Sequence, residues 1–316
     1  MCLILRWDYL TDGRQVLRYM KIKFKTPAKV NLGLHIHRKR MDGFHELETI
    51  LQMVSLYDEI VLEPLSEGIE LECDTPGIPK DGTNLAFKAA LLLMESCQVK
   101  DRGVRIQLKK HIPAGAGLGG GSGNAAGVLM GLNRLWDLNM RLEKLSVLSS
   151  ALGTDVPFFL TSPCALGACR GDQLEILEPH SKFQVLLVFP GFPIETPWVY
   201  QNLKLKLTKR ENNISIWRKN LSLSDIAGLG SQLYNDLEPV VIQRFPEIQI
   251  IKNELWAQGA LGVLLSGSGS TVYGIFDDLG KAKFACANLN GDWERVVTET
   301  IGSFSEFLPE EVLNYP

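Results

Sequence analysis

No stretch of this 316-residue chain is apolar for long enough to cross a bilayer. The longest apolar runs, 185–190 and 260–265, suit buried strands, whereas a membrane helix needs about 20 such residues. Cys-x-x-Cys pairs are also missing. The six cysteines, Cys2, Cys73, Cys97, Cys164, Cys169 and Cys286, are scattered, which argues against a zinc ribbon or a redox dithiol and fits core thiols in a reducing compartment. His35 and His37 share one strand face, but no third ligand stands near them, so the pair reads as structural. Basic residues are not in excess. Formal net charge is -3, so no positive field draws the chain to nucleic acid. There is no internal repeat and no low-complexity tract. Residues 1–19 mix Arg6, Asp8, Asp12, Arg14 and Arg18 and hold no apolar segment of a secretory leader. A strand-like run opens at Met20, which is the expected natural start. These absences together point to a cytoplasmic protein with neither a membrane nor a nucleic-acid partner.

What is present suits an ordinary globular enzyme. Hydrophobic residues make up 45% and charged residues 22%, enough for a full-sized core. The length favours two domains, placed at 1–178 and 179–316. Segments 22–24 and 28–36 read as a pair of early strands, and Asp42-Gly43 as a turn. Further strands are expected at 47–57, 58–62 and 104–109. Leu85, Ala89, Leu92 and Leu93 make one stripe of a helix over 84–95, with Thr83 as its cap. Helices are also expected over 123–135, 142–152, 224–237, 246–259 and 281–289. Later strands fall at 183–190, 261–265 and 271–276. Strands and helices mix without strict alternation, which predicts an α+β fold.

The segment from Pro113 to Gly127 lies between a predicted strand and a predicted helix. Six glycines, Gly115, Gly117, Gly119, Gly120, Gly121 and Gly123, fall within nine residues. Such a loop can turn several backbone N–H groups toward one anion, and the helix that follows adds unpaired N–H groups and a partial positive charge. Ser122 adds a hydroxyl, and Lys109 and Lys110 add charge. These features describe a cradle for a di- or triphosphate. A flexible linker would not run at once into Asn124-Ala-Ala and an apolar helix. Gly115-x-Gly117-x-x-Gly120 matches a dinucleotide fingerprint in letters only. It follows some ninety residues of other structure, and the nearest acid, Asp137, falls inside or at the end of the helix. Gly121-Ser122-Gly123 lacks the lysine of a P-loop.

At this point the sequence resembles the GHMP kinase superfamily, whose loop reads Pro-x-x-x-Gly-Leu-Gly-Ser-Ser-Ala-Ala. Pro113, Gly117-Leu118-Gly119 and Ala125-Ala126 fit it. The extra glycines and Asn124 resemble the branch that acts on a cytidine diphosphate-linked methylerythritol. So do Ala28-Lys29-Val30-Asn31-Leu32, the run from Arg40 through Asp42-Gly43-Phe44-His45, and Gly153-Thr154-Asp155-Val156-Pro157. Residues 265–270 resemble the superfamily's third motif. The likeness spans roughly residues 21–276. It implies a two-domain kinase with its site in the cleft between domains, and ATP and Mg²⁺ as cofactors. It also implies transfer of the γ-phosphoryl group to the 2-hydroxyl of the cytidylylated methylerythritol.

The resemblance also implies roles. Asp155 would accept or guide the proton of the attacking hydroxyl, and Lys29 would keep that carboxylate ionised and stabilise charge at the phosphoryl group. On their own, an Asp at such a corner is a turn former and a Lys on a strand is a solvated face. ATP would meet Asn84, Pro113, Gly115, Gly117, Leu118, Gly119, Gly120, Gly121, Ser122, Gly123 and Asn124. Asn84 reads equally as a helix-start residue. The second substrate would meet Asn31, Phe44, His45, Thr196, Tyr200, Gly267 and Ser268. Phe44 and His45 would recognise cytosine on one side and Tyr200 on the other. Phe44 stands where the family has Tyr, and Gly123 where it has Ser, so two hydroxyls are missing. Ser122 is the one candidate for a protein ligand to magnesium. A homoserine or mevalonate-type kinase, a silent sugar or nucleotide sensor and a dehydrogenase are the competing readings. Monomer and homodimer remain open.

Overall fold

The computed structural model describes residues 4–9, 15–178, 181–204 and 214–308. The expectation about Met20 concerns residues 1–19, of which 1–3 and 10–14 lie outside the described residues. Strand β1 (Ile4–Tyr9) pairs antiparallel with the start of β2 (Gln15–Lys39), which therefore opens before Met20. β2 pairs along most of its length with β3 (His45–Leu65).

The two predicted early strands are thus one, and the strands expected at 47–57 and 58–62 are also one. Irregularities of register at Pro27/Ala28, Asn31/Gly33 and Ile36/Arg38 let β2 bend without ending. The bends carry it through three apolar clusters. Ile22 and Phe24 enter the first, Ala28, Val30 and Leu32 the second, and Leu34 and Ile36 the third. By strict alternation Lys29 and Asn31 point the other way.

β4 (Ile69–Cys73), α1 (Leu85–Ser96) and β5 (Gly103–Lys109) follow, with β4 parallel to β5 and β5 antiparallel to β3. α2 (Gly120–Leu135) begins three residues earlier than expected, inside the glycine run. It lies against β2 and β3. Gly127 allows this approach, because a Cβ there would stand 2.4 Å from Thr26 and 2.8 Å from Phe24. α3 (Leu142–Ser149), the short α4 (Phe158–Thr161), β6 (Cys164–Ala168) and β7 (Gln173–Ile176) complete this half, with β6 on β3.

The second sheet runs β10-β11-β8-β12. Its strands are β8 (Gln184–Phe189), β10 (Gly262–Leu265), β11 (Val272–Phe276) and β12 (Glu294–Glu299). Between β8 and β10 come α5 (Thr196–Asn202), α6 (Ile214–Leu223), α7 (Ile226–Ser231), β9 (Tyr234–Asn235), α8 (Glu238–Arg244) and α9 (Glu247–Ala257). α10 (Leu279–Asn288) joins β11 to β12. The chain is α+β, as expected.

The helix expected over 224–237 is not formed as such. α7 stops at Ser231, with Gly230 pressed on the Leu261 carbonyl (2.2 Å from a Cβ built there). The chain then extends as β9, which crosses to the first sheet and pairs parallel with Gly33 and Leu34. His35 and His37 touch edge to face at 4.9 Å, and each has a carboxylate partner, Asp236 and Glu48 respectively.

Candidate active site

A cavity of about 600 Å³ opens between the glycine loop, β2 and the turn that joins β10 to β11. Its wall includes Lys29, Asn31, Pro113, Gly115, Gly117, Leu118, Gly119, Gly120, Gly121, Ser122, Thr196, Tyr200, Gly267 and Ser268. Asn84, Asn124 and Asp155 also reach it.

The loop is built by alternation. Gly115, Gly117 and Gly119 take positive φ values of 66°, 76° and 69°, while Ala116 and Leu118 between them are buried. The four carbonyls from Gly115 to Leu118 each have a donor. The Ile194 N–H donates to Gly115, the Thr271 N–H to Ala116, the Ser266 hydroxyl to Gly117 and the Lys29 N–H to Leu118, at 3.1, 3.1, 3.0 and 2.9 Å. The loop's acceptors are therefore committed to the protein. Gly119 leads into the first turn of α2, where Gly120, Gly121 and Ser122 carry N–H groups that no helical carbonyl can take. An anion on the cavity side meets those donors and the positive end of the helix.

Lys29 is 4% exposed. Its ammonium donates to the Asn31 Oδ1 at 2.7 Å and stands 3.4 Å from Asp155 Oδ2. Asn31 is held in turn, for its Nδ2 donates to Thr49 Oγ1 at 2.8 Å and that hydroxyl donates to the Gly33 carbonyl at 2.7 Å. Lys29 and Asp155 are 126 residues apart in sequence (155 minus 29) and meet at the cavity wall.

The turn after β10 closes the other side. Asn235 on β9 donates to the Leu265 and Gly267 carbonyls at 2.9 and 2.7 Å. Thr196 and Ser268 share a hydroxyl hydrogen bond of 2.7 Å. Gly267 comes close to the lysine, since a Cβ there would lie 3.4 Å from Lys29 Nζ.

Of the expected contacts, Gly123, Phe44 and His45 are not on the cavity wall, whereas Asn124 and Asn84 are on it and carry bonds of their own. The Gly123 N–H bonds to the Gly119 carbonyl at 2.9 Å. A side chain there would meet the Pro27 carbonyl at 2.9 Å and Phe159 at 3.4 Å, so the position faces the core. The Asn124 amide is spent inside the protein, on Thr26, Asp58 and Lys110. Asn84 caps α1, accepting from Ala86 N at 2.9 Å and donating to the Pro79 carbonyl at 2.8 Å. It replaces the Thr83 cap expected from sequence and has one amide hydrogen left for a base.

Phe44 is half exposed and off the cavity wall, with the Arg170 guanidinium 5.1 Å from its ring centre. His45 touches Tyr200 directly, with ring centres 5.0 Å apart and planes at 31°. That spacing is a ring-on-ring contact, so a cytosine held between the two requires them to part. Burial lowers the His45 pKa, with the Lys39 charge adding to the effect, so the ring is neutral at pH 7. Burial raises the Tyr200 hydroxyl, and the Asp155 charge adds to that.

Sequence reasoning missed Arg170 and Thr49 on the cavity wall, and Asn235 behind it. It took Lys109 and Lys110 together as nearby charge. Lys110 lines the cavity, whereas Lys109 is exposed and pairs with Glu59 at 3.4 Å. Alternation along a strand is the signal that would have separated them.

Residues 84–162 match the GHMP kinases N terminal domain, and 217–295 match the GHMP kinases C terminal family. The chain belongs to the GHMP kinases. A protein of Acetivibrio thermocellus named 4-diphosphocytidyl-2-C-methyl-D-erythritol kinase is 40% identical over 281 residues, covering 89% of this chain and 99% of that one. A protein of the same name from Syntrophus aciditrophicus is 44% identical over 266 residues, covering 84% and 93%. A crystal structure of 4-(cytidine 5'-diphospho)-2C-methyl-D-erythritol kinase superposes with a TM-score of 0.77 at 35% identity, over 89% of this chain and all of that one.

Proposed function

We infer that this chain is an ATP-dependent kinase acting on 4-diphosphocytidyl-2-C-methyl-D-erythritol. It transfers the γ-phosphoryl group to the 2-hydroxyl, giving the 2-phosphate and ADP, in the non-mevalonate (methylerythritol phosphate) route to isoprenoid precursors. The observation that carries this reading is the Lys29–Asp155 pair, 3.4 Å apart on the wall of a cavity that the glycine loop also lines. The relatives named above act on the same substrate by their names.

In this reading the N–H groups of Gly120, Gly121 and Ser122 bind the nucleotide phosphates. Asp155 takes the hydrogen bond of the 2-hydroxyl and accepts its proton as the oxygen attacks phosphorus. Lys29, held by Asn31, offsets the charge gathered on the transferring group. Magnesium, which would enter with the triphosphate, would supply charge neutralisation at the β- and γ-phosphates. Among the described residues no group of three acidic, His or Cys side chains could hold a metal by itself. A hydroxyl from Ser122, on the cavity wall, would suit an ion that keeps most of its ligands as water and phosphate. The division at residue 178 then separates a nucleotide-binding part from a part that completes the substrate side. No helix among the described residues is long and apolar enough to cross a membrane.

An ADP-release assay tests the reading. Turnover with the cytidylylated methylerythritol, and none with homoserine or mevalonate, is expected. Turnover with either of the latter instead overturns it. Recognition of the base is tested by His45→Ala. It is expected to raise the KM for the cytidylylated substrate by about tenfold, the worth of one stacking contact, with kcat changed less than about threefold. An unchanged KM would remove His45 from base recognition.

A further inference from the structure

We propose that Asp58 is a positioning residue for nucleotide binding. Its carboxylate ties both ends of the glycine loop together and keeps Lys110 on the cavity wall for the phosphates. The proposal rests on the kinase reading above.

Asp58 is fully buried in β3. Its Oδ1 accepts the N–H groups of His111 and Ile112 at 2.8 and 2.9 Å, where the chain leaves β5 for the loop. Its Oδ2 accepts Asn124 Nδ2 at 2.9 Å, from the first turns of α2 beyond the loop, and also Lys110 Nζ. Four donors from both flanks of the loop thus converge on one carboxylate. Asn124 braces the arrangement, accepting from Lys110 Nζ at 3.0 Å and donating to Thr26 Oγ1 at 2.8 Å.

The Lys110 side chain is 8% exposed, yet it lines the cavity. Its ammonium lies 3.3 Å from where a Cβ of Gly120 would stand, beside the first residue of α2. A buried ion pair is a poor device for stability alone, since apolar residues of the same volume serve as well or better. Here the pair holds a cation at the helix end that meets the phosphates. Two backbone amides give the same carboxylate control of the loop's entry.

The test uses the whole enzyme in steady-state assays, with D58N, K110M and the double variant. In D58N the new amide faces the Lys110 and Asn124 donors with hydrogens of its own. A rise of at least tenfold in the KM for ATP is expected in D58N, with kcat and the KM of the second substrate changed less than threefold. D58N/K110M is expected to match K110M within twofold, because D58N keeps one oxygen to accept the His111 and Ile112 amides and changes only the side of the carboxylate that holds the lysine and Asn124. An unchanged ATP KM in D58N, or effects of the two substitutions that simply multiply, overturns the proposal. If D58N alone does not fold, the comparison of D58N/K110M with K110M decides, since neither leaves the lysine charge unpaired. Wild-type turnover is read in the same assay. A wild type inactive on the cytidylylated substrate would indict the kinase reading, whereas an indifferent D58N would indict Asp58 only.

Discussion

Asp155→Asn is expected to lower kcat by about 10²–10⁴-fold, the usual worth of a positioned general base, while ATP binds almost as before. The substitution keeps the shape of the side chain and removes its negative charge. Asp155 lies 3.4 Å from the Lys29 ammonium, and about a third of its side chain is exposed. Asp155 is the open member of the pair, since the Lys29 side chain is only 5% exposed. Lys29 keeps its bond to Asn31 at 2.7 Å and so remains in place. In the proposed reading the grip on the nucleotide is made elsewhere, by the first turn of α2. Titration calorimetry with a non-hydrolysable ATP analogue, set beside the ADP-release rate, separates the two properties. Parallel losses of affinity and rate would make Asp155 a structural residue and leave the proton without an acceptor.

Gly117→Ala is expected to damage folding and activity together. Gly117 has φ = 76°, where an added methyl is strained. That methyl would stand 2.0 Å from the Ser266 carbonyl oxygen, which belongs to backbone and cannot swing aside. Backbone strain and overpacking together cost about 3 kcal/mol or more, or roughly 5 °C of melting temperature in a chain of this size. The two glycine loops must separate to admit the methyl, which moves the phosphate donors away from Lys29. A fall in kcat/KM of about a hundredfold corresponds to a loss of about 3 kcal/mol of transition-state binding. Gly121→Ala is the contrast for stability. Its Cβ would meet only the Leu85 side chain at 3.6 Å, so the melting temperature is expected to stay or rise slightly. Equal destabilisation by the two substitutions would show that the contact with Ser266 is not what demands glycine at 117.

The phosphate loop was legible because its signal is local. Glycines at alternate positions, a strand before and an apolar helix after all lie within about thirty residues. Lys29 and Asp155 were legible through short motifs whose partners the structure brings together. The rest depends on distant chain. Nothing near Asn124 in sequence announces that its amide bonds Asp58, 66 residues away. Asn235 was read as helical because 224–237 has apolar residues at helical spacing. Its side chain instead serves two carbonyls thirty or more residues on, and the extended β9 puts it there. Phe44 was taken into the base site by its neighbour His45. Phe44 lies in the bend before β3, which opens at His45, and it is His45 that meets Tyr200.

The carbonyls of Gly115, Ala116 and Gly117 receive hydrogen bonds from Ile194, Thr271 and Ser266, all of which come from the later half of the chain. A fragment ending near residue 178 would carry every glycine of the loop and still leave three of its carbonyls bare. The motif is thus a surface finished by complementation, its carbonyls supplied with donors that lie 79 to 155 positions further along the chain (194 minus 115; 271 minus 116).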